Sequence, residues 1–500
     1  MTPLWTAGAI AEATGADLAI APDAPISAIS IDTRTLVPGS LYVALHGVSQ
    51  DGHRFVDAAF EAGAAACLVE DDYSGDDPRL LRVPDTLRGL EQIAAAARAR
   101  NAGRIVAVTG SAGKTTSKEI LRAMFEAIAP GRVHAAAKSF NNHWGVPLTL
   151  ANLPADAAYA VFEIGMNHPG EIRPLVKLVR PHVSMITTIA AAHLGHFSGL
   201  EEIAEAKAEI FEGLAGDGTA TGWAVVPSDA PHADLLIRRA LGHLAEPGFL
   251  FTFGTGADAT LLLRDLELSP TRSRAAIRGP ADTLRFELNL AGAHNAMNAA
   301  GCIAAWFCAT AGQLMPEGPD DEGYPGFGRI RRALASLSVD PAGRGQVHDL
   351  ADGITLIDES YNANPSSMRA ALATLALYPA DRRRIAVLGD MLELGDASQQ
   401  LHGDLASAVR EARVDAAFLC GPDMAVLANR ISPPRDDAAA NDTDRIAVTH
   451  APTSSDLEQL LLAGVRSGDV IVVKGSLGSR MAPLVAALRS QFCAPKTEGG

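Results

Sequence analysis

The run Val108-Thr109-Gly110-Ser111-Ala112-Gly113-Lys114-Thr115-Thr116 constrains this chain more than any other stretch. It follows an apolar strand candidate at 104–108 and opens a helical pattern at 117–128. A strand, a glycine-rich turn and a helix in that order aim backbone N–H groups and a helix N-terminus at an anion. In such a turn Lys114 reaches the outer phosphates and the Thr115 hydroxyl ligates a magnesium ion. The position five before Gly113 holds Val108, where the usual phosphate-loop spacing has glycine. The bare Gly-x-x-Gly-Lys-Thr run is shared with purely structural turns, and its register between strand and helix favours a nucleoside-triphosphate site.

Length and composition set outer limits. At 500 residues the chain has room for three domains, and 48% apolar residues are ample for buried cores. A net charge of −16 without a basic cluster argues against a nucleic-acid-binding surface. Cys67, Cys302, Cys308, Cys420 and Cys493 show no metal-ligand spacing and read as buried thiols of a reducing compartment. There is no basic segment followed by an apolar stretch at the N-terminus, and no apolar run near the ~20 residues that span a bilayer. A cytoplasmic protein without membrane insertion is the expectation, with a monomer as the expected state.

Three α/β blocks follow one another. The first, 1–102, has strand-like runs at 28–31, 40–44 and 65–69, a helical stretch at 55–62 and an Ala-rich helix at 86–100. The second, 103–338, starts with the phosphate-loop strand; its runs at 158–164 and 183–189 are continuously apolar, as in buried parallel strands. The stretch 313–340, across the junction with the third block, is rich in Gly, Pro and Asp and reads as an exposed loop leading to a linker. The third, 339–493, repeats the alternation with strands at 354–357, 384–388, 416–419 and 470–473, a smaller doubly wound domain; 494–500 reads as a disordered tail.

Polar residues gather where these strands end. Glu163 closes an apolar run, where a carboxylate either caps an exposed edge or holds the magnesium that bridges the phosphates. His193 and His196 follow the run at 183–189; without a third ligand nearby they are a poor zinc pair, and a loop histidine there can contact metal or phosphate. Lys207 lies on a helical pattern with Ile203, Ile210 and Phe211, and an isolated lysine on such a helix reads as part of a solvated face. Asp358 to Pro365, Gly389 to Gly395 and Lys474 to Ser476 each follow a strand, as a ligand crevice or as turns, and the two readings are compatible. Three such clusters after three strands point to one carboxyl-end face.

At these residues the chain resembles the Mur ligases, the ATP-dependent amide-forming family of peptidoglycan precursor synthesis. The resemblance covers nearly the whole length in order. It implies a small α/β UDP-binding domain, a central parallel-sheet ATPase domain and a C-terminal Rossmann-like domain. The family's phosphate loop matches residues 109–116, its metal-binding Glu matches Glu163 and its second-metal histidine matches His193. Its modified lysine, carbamylated on the amine, matches Lys207, which reverses the solvated reading of that residue. The adenine-side Asn matches Asn295, the Gly-Arg of the last domain matches Gly343-Arg344, and the ribose-side Asp matches Asp358. The cofactors implied are ATP and two magnesium ions.

The first block narrows the choice within the family. Ser30, Asp32, Thr33 and Arg34, with Asp51, Gly52 and His53, resemble the UDP-substrate domain of the third and fourth ligases. The Asp-Asn-Pro-Arg motif of diaminopimelate-adding members is absent; Tyr361, Asn362 and Asn364 stand in that region, and Asn141-Asn142 precede a Gly-Val-Pro-Leu-Thr-Leu run. These match the type that adds D-alanyl-D-alanine to UDP-N-acetylmuramoyl-tripeptide through an acyl phosphate. Glu359 stands where Asp is usual, and Pro227 where Asn is common. The competing expectations are the ligase that adds the third peptide residue, a folylpolyglutamate synthetase, which lacks the first domain, and a regulatory NTPase, whose Asn-Lys-x-Asp motif is absent.

Overall fold

The structure is a computed structural model, and it describes residues 3–47, 50–214, 222–279, 282–311, 326–338, 342–432 and 446–493. The first apolar runs form a four-stranded parallel sheet in the order Ile29–Ser30, Leu41–Val43, Ala66–Glu70, Leu80–Val83. A parallel sheet needs cover on both faces. Tyr42 and Val69 pack with Val56 and Ala59 on one face, whereas Leu41, Val43 and Leu68 pack with Leu90, Ile93 and Ala97 on the other. The last three belong to the helix Thr86–Arg100, which starts where the Asp85 side chain accepts from Arg88 N–H. The same apolar cluster continues into Val146, Phe162 and Ile186 of the central region, so the two regions share a core. The strand Leu80–Val83 has no counterpart among the strand-like runs expected for the first block.

The central sheet has nine strands, in the order Thr283–Leu288, Ser273–Arg278, Leu261–Leu268, Leu250–Gly254, Trp223–Pro227, Val183–Ile186, Arg104–Thr109, Tyr159–Glu163, Val133–Ala135. All neighbours from Leu261–Leu268 onward are parallel, and the outer pairs are antiparallel. Arg104–Thr109 sits between Tyr159–Glu163 and Val183–Ile186, so the chain leaves it on one side and later returns on the other. Crevices form outside the carboxyl ends of strands at such a switch point. The phosphate-loop helix begins at Lys114, inside the motif and three residues before the expected start, because left-handed Gly113 (φ 80°) turns the chain directly into it.

The third sheet runs Gln346–Asp349, Thr355–Glu359, Val470–Lys474, Arg384–Gly389, Ala416–Cys420, Ala447–Ala451, parallel except for the first strand. Apolar clusters cover both of its faces, as a doubly wound sheet requires. Within 313–340, residues 327–335 are not a loop but the helix Phe327–Ala335, whose Phe327, Ile330 and Leu334 are fully buried in the central core. Residues 312–325, 339–341 and the tail 494–500 lie outside the described residues. Four of the five cysteines are buried as expected, but Cys493 is exposed. No helix of the described residues is long and apolar enough to cross a membrane.

Candidate active site

Three strand ends meet around the phosphate loop. Gly110 has φ 153°, and a Cβ there would come within 1.8 Å of Thr187 Oγ1, which donates to Ala112 O at 2.5 Å. The loop is thus pinned against the end of the neighbouring strand, which explains the glycine. Lys114 folds back over the loop and donates to Gly110 O at 2.7 Å. Burial holds its ammonium below the ordinary lysine range, Arg344 pushes the same way, and Glu163 opposes both. Residues 111–116 line a cleft of about 1210 Å³ between the central and third sheets, while Thr109 and Gly110 do not.

Glu163 faces Val108 in register, and its carboxylate enters the cleft mouth. Its Oε2 accepts from Thr115 Oγ1 at 2.8 Å and its Oε1 from Asn141 Nδ2 at 2.7 Å. Adjacent oxygen ligands of an octahedral magnesium ion lie about 3 Å apart. Thr115 and Glu163 have that spacing, so this hard-oxygen set fits the metal that the sequence motif calls for. Asn142 does not line the cleft; its Oδ1 accepts from Trp144 and Gly145 N–H just ahead of the helix Gly145–Ala151.

Lys207 is 1% exposed, a correction to the solvated reading of its helix. It sits four residues from both Ile203 and Phe211, one helical face, and that spacing is the signal a reading of the helix alone overlooked. Its side chain makes no hydrogen bond or ion pair with the described residues. Burial, with the nearby Lys114 adding repulsion, drives its amine well below the ordinary range. His193, in the left-handed region (φ 59°), lines the cleft, and its Nδ1 bonds the Glu393 carboxylate of the third sheet's region. Burial lowers the His193 pKa, Glu393 opposing and Lys114 and Lys207 reinforcing it.

The opposite wall comes from the C-terminal region. Asn364 caps the helix Pro365–Leu375 through its side-chain oxygen and sends Nδ2 across to Ser111 O, 3.2 Å. Arg344 stacks 4.1 Å from the Tyr361 ring centroid and reaches Ser139 Oγ at 2.9 Å. Asn362 O accepts from Lys474 Nζ at 3.0 Å, and Lys474 also pairs with Glu359 at 3.1 Å. Asn295 lines the cleft with His294 and donates to Ala291 O. Asp358 is turned away from the cleft: one oxygen accepts from Ser360 N–H and O–H, the other from Gly343 N–H, so it holds the turn that carries Arg344. Its neighbour Glu359 lines the cleft instead. Ser139, Glu393 and Lys474 are cleft residues that sequence reasoning did not single out as site residues; Lys474 and Glu393 sat in the clusters after strands, and Ser139 carried no local signal.

The first-region candidates form their own group, outside that cleft. Asp32 takes a bidentate pair from Arg34 at 2.7 and 2.9 Å, Ser30 Oγ meets the Asp32 backbone, and Thr33 lies half-buried between them. Asp51 accepts from His53 N–H and Nδ1, and Gly52 is held between Leu45 and Tyr42 by backbone and hydroxyl bonds. Both turns act on Tyr42, whose hydroxyl burial and these carboxylates push up to about 12. His46, His53 and Glu70 lie close enough for a metal, yet His53 Nε2 already accepts from Glu70 N–H at 3.0 Å and its Nδ1 serves Asp51. Neither ring nitrogen of His53 is left for a cation.

Comparison with known proteins places this geometry. Family models match residues 25–138 (Mur ligase family, catalytic domain), 108–306 (Mur ligase middle domain) and 343–477 (Mur ligase, glutamate ligase domain). The chain is 32% identical over 465 residues to the UDP-N-acetylmuramoyl-tripeptide--D-alanyl-D-alanine ligase of Bacillus subtilis, covering 93% of each chain. It is 32% identical over 469 residues to the enzyme of that name from Escherichia coli, covering 93% of this chain and 94% of the other. A crystal structure of MurF from Acinetobacter baumannii superposes with a TM-score of 0.79 at 29% identity, over 97% of this chain and 99% of that one. A phosphate loop, a carboxylate beside its threonine and a facing C-terminal domain follow one another along the chain in the order of those three family matches: the chain belongs to the Mur ligase family.

Proposed function

We propose that this chain is the ATP-dependent ligase that adds D-alanyl-D-alanine to UDP-N-acetylmuramoyl-tripeptide, giving the pentapeptide precursor, ADP and phosphate. The observation that carries the reading is the single cleft in which the phosphate loop, Glu163, Arg344 and Asn364 face one another. A phosphate loop alone serves many NTPases; a second domain reaching into it suits a reaction that must assemble three substrates. The relatives bearing that ligase name span nearly the full chain and support the choice of substrates.

A carboxylate is a poor electrophile, so it must be activated before an amine attacks. The tripeptide carboxylate attacks the γ-phosphorus of ATP, ADP leaves, and the acyl phosphate forms. The dipeptide amine then attacks the acyl carbon, loses its proton, and phosphate departs. Lys114 and the helix N-terminus at Lys114–Ile128 bind the phosphates, and Arg344 faces them from the other domain. Thr115, Glu163, His193 and a carbamylated Lys207 would hold magnesium, which supplies charge neutralisation on the transferring phosphoryl group. Asn295 and His294 form the nucleoside side, and the turns at 30–34 and 51–53 take the UDP moiety. Asn364 and Arg344 hold the domains together so that water is kept from the acyl phosphate. A chain using these nucleotide substrates works in the cytoplasm.

Phosphate release tests the reading: it requires the UDP-tripeptide and the dipeptide together. Hydrolysis of ATP at the same rate without them would replace the ligase by an NTPase. Turnover with a single amino acid instead of the dipeptide would move the assignment to the neighbouring ligase.

A further inference from the structure

We propose that Glu393 is a positioning residue that sets the tautomer of His193 and delivers the imidazole to the metal site only when the C-terminal domain is docked. The inference rests on the metal-binding reading of His193 above. His193 follows the central strand Val183–Ile186, whereas Glu393 follows Arg384–Gly389 of the third sheet, so their contact crosses the domain boundary. Both residues adopt left-handed backbone, φ 59° and 63°, which aims two loop side chains at one another at a conformational cost. The backbones meet as well: Gly195 N–H donates to Glu393 O at 2.9 Å. A Cβ on Gly395 would lie 3.0 Å from Gly195 Cα, so glycine at 395 is what lets the loops approach.

The Glu393 loop is itself anchored. Met391 N–H donates to His402 Nε2 at 2.9 Å and Leu392 N–H to Ser476 Oγ at 2.9 Å. His402 is fully buried and Ser476 is 4% exposed, so these bonds tie the loop to the C-terminal core. The carboxylate therefore moves with that domain. An imidazole whose Nδ1–H is held by a carboxylate presents Nε2 as its lone-pair nitrogen, the arrangement that orients metal-binding histidines elsewhere. Undocking removes the acceptor and frees the ring to rotate and to change tautomer. The side chain of Glu393 is 47% exposed, so its replacement does not cut into a core.

The test uses the full chain and two variants, Glu393→Ala and Glu393→Gln, the second keeping a neutral acceptor. Long-range proton–nitrogen NMR of the histidine rings, with His193→Asn to assign the signal, reads the tautomer without substrates. Magnesium dependence of ATP-driven phosphate release is measured in parallel on the same preparations. Nδ1–H is expected in the parent chain, with a shift toward Nε2–H in Glu393→Ala and a smaller one in Glu393→Gln. The magnesium concentration for half-maximal rate should rise roughly tenfold or more in Glu393→Ala. An unchanged tautomer overturns the proposal, and so does a changed tautomer with unchanged magnesium dependence. If the parent chain itself releases no phosphate with its substrates, the ligase reading fails, while the tautomer comparison still judges the Glu393 contact.

Discussion

Arg344 Nη2 donates a 2.9 Å hydrogen bond to Ser139 Oγ, and the same oxygen lies 3.2 Å from Thr115 Oγ1. One serine thereby joins the C-terminal domain to the threonine of the phosphate loop. Its segment ties the central region to the C-terminal one. Lys118, fully buried, donates to Ala136 O at 2.5 Å, and Asn141 bonds Glu163. Apart from Asn141, nothing in the composition of residues 136–141 marks them for this, because the role lies in where the loop runs.

Ser139→Ala removes both contacts and leaves no cavity of consequence. A hydrogen bond to a charged group contributes about 1.5–3 kcal/mol, so kcat/KM should fall by about tenfold or more. The melting temperature should stay within about 2 °C, since the serine sits in a loop at the cleft surface. Steady-state kinetics beside a thermal melt check this. Unchanged kinetics would make the contact incidental.

Lys207 should link activity to carbon dioxide. Its uncharged amine is the form that adds carbon dioxide, and the product is an anion beside Lys114. Activity should fall in carbon-dioxide-free buffer and recover on adding bicarbonate, while Lys207→Met loses about 100-fold or more in either buffer. Stability should move the other way. The folded-state pKa of Lys207 is depressed, so between that value and the ordinary lysine pKa the unfolded chain binds the extra proton. Stability in carbon-dioxide-free buffer therefore rises with pH across that window, and Lys207→Met flattens the slope and raises the melting temperature at neutral pH. A bicarbonate-independent enzyme, or a variant that melts lower, would contradict this.

Gly110→Ala should damage the nucleotide site selectively. Its φ of 153° and the 1.8 Å separation that a Cβ would have from Thr187 Oγ1 leave the side chain no room. Displacing the loop costs about 1–3 kcal/mol. ATP affinity by calorimetry should weaken about fivefold or more, with binding of the UDP-linked substrate in the first region unaffected. Equal weakening of both ligands would point to general unfolding.

The strands that carry chemistry were legible because they are buried on both faces and end in polar clusters; Arg104–Thr109, Tyr159–Glu163 and Val470–Lys474 are each continuous apolar runs. The outer strands Leu261–Leu268, Ser273–Arg278 and Thr283–Leu288 were not, since their mixed burial leaves several charged residues exposed and only short apolar runs. The helix Phe327–Ala335 was hidden by the Gly, Pro and Asp that precede it, although Phe327, Ile330 and Leu334 keep helical spacing. For the site, local pattern identified Lys114, Thr115 and Glu163, while Lys207 needed the family resemblance and then proved buried. Asp358 carries a role that matching by position does not reveal: its oxygens serve the turn of Gly343 and Ser360. Pairings such as His193 with Glu393, 200 residues apart, are set by the tertiary fold and leave no local sequence signal.

ATP activates the tripeptide carboxylate as an acyl phosphate before the dipeptide amine attacks it. The most direct measurement supplies UDP-N-acetylmuramoyl-tripeptide with a heavy oxygen isotope in its terminal carboxylate, together with ATP, magnesium and D-alanyl-D-alanine, and weighs both products. The expected result is a nucleotide-linked product heavier by the dipeptide residue and inorganic phosphate carrying one heavy oxygen from the carboxylate. Unlabelled phosphate, or ATP consumed with no product gaining the dipeptide, would contradict it.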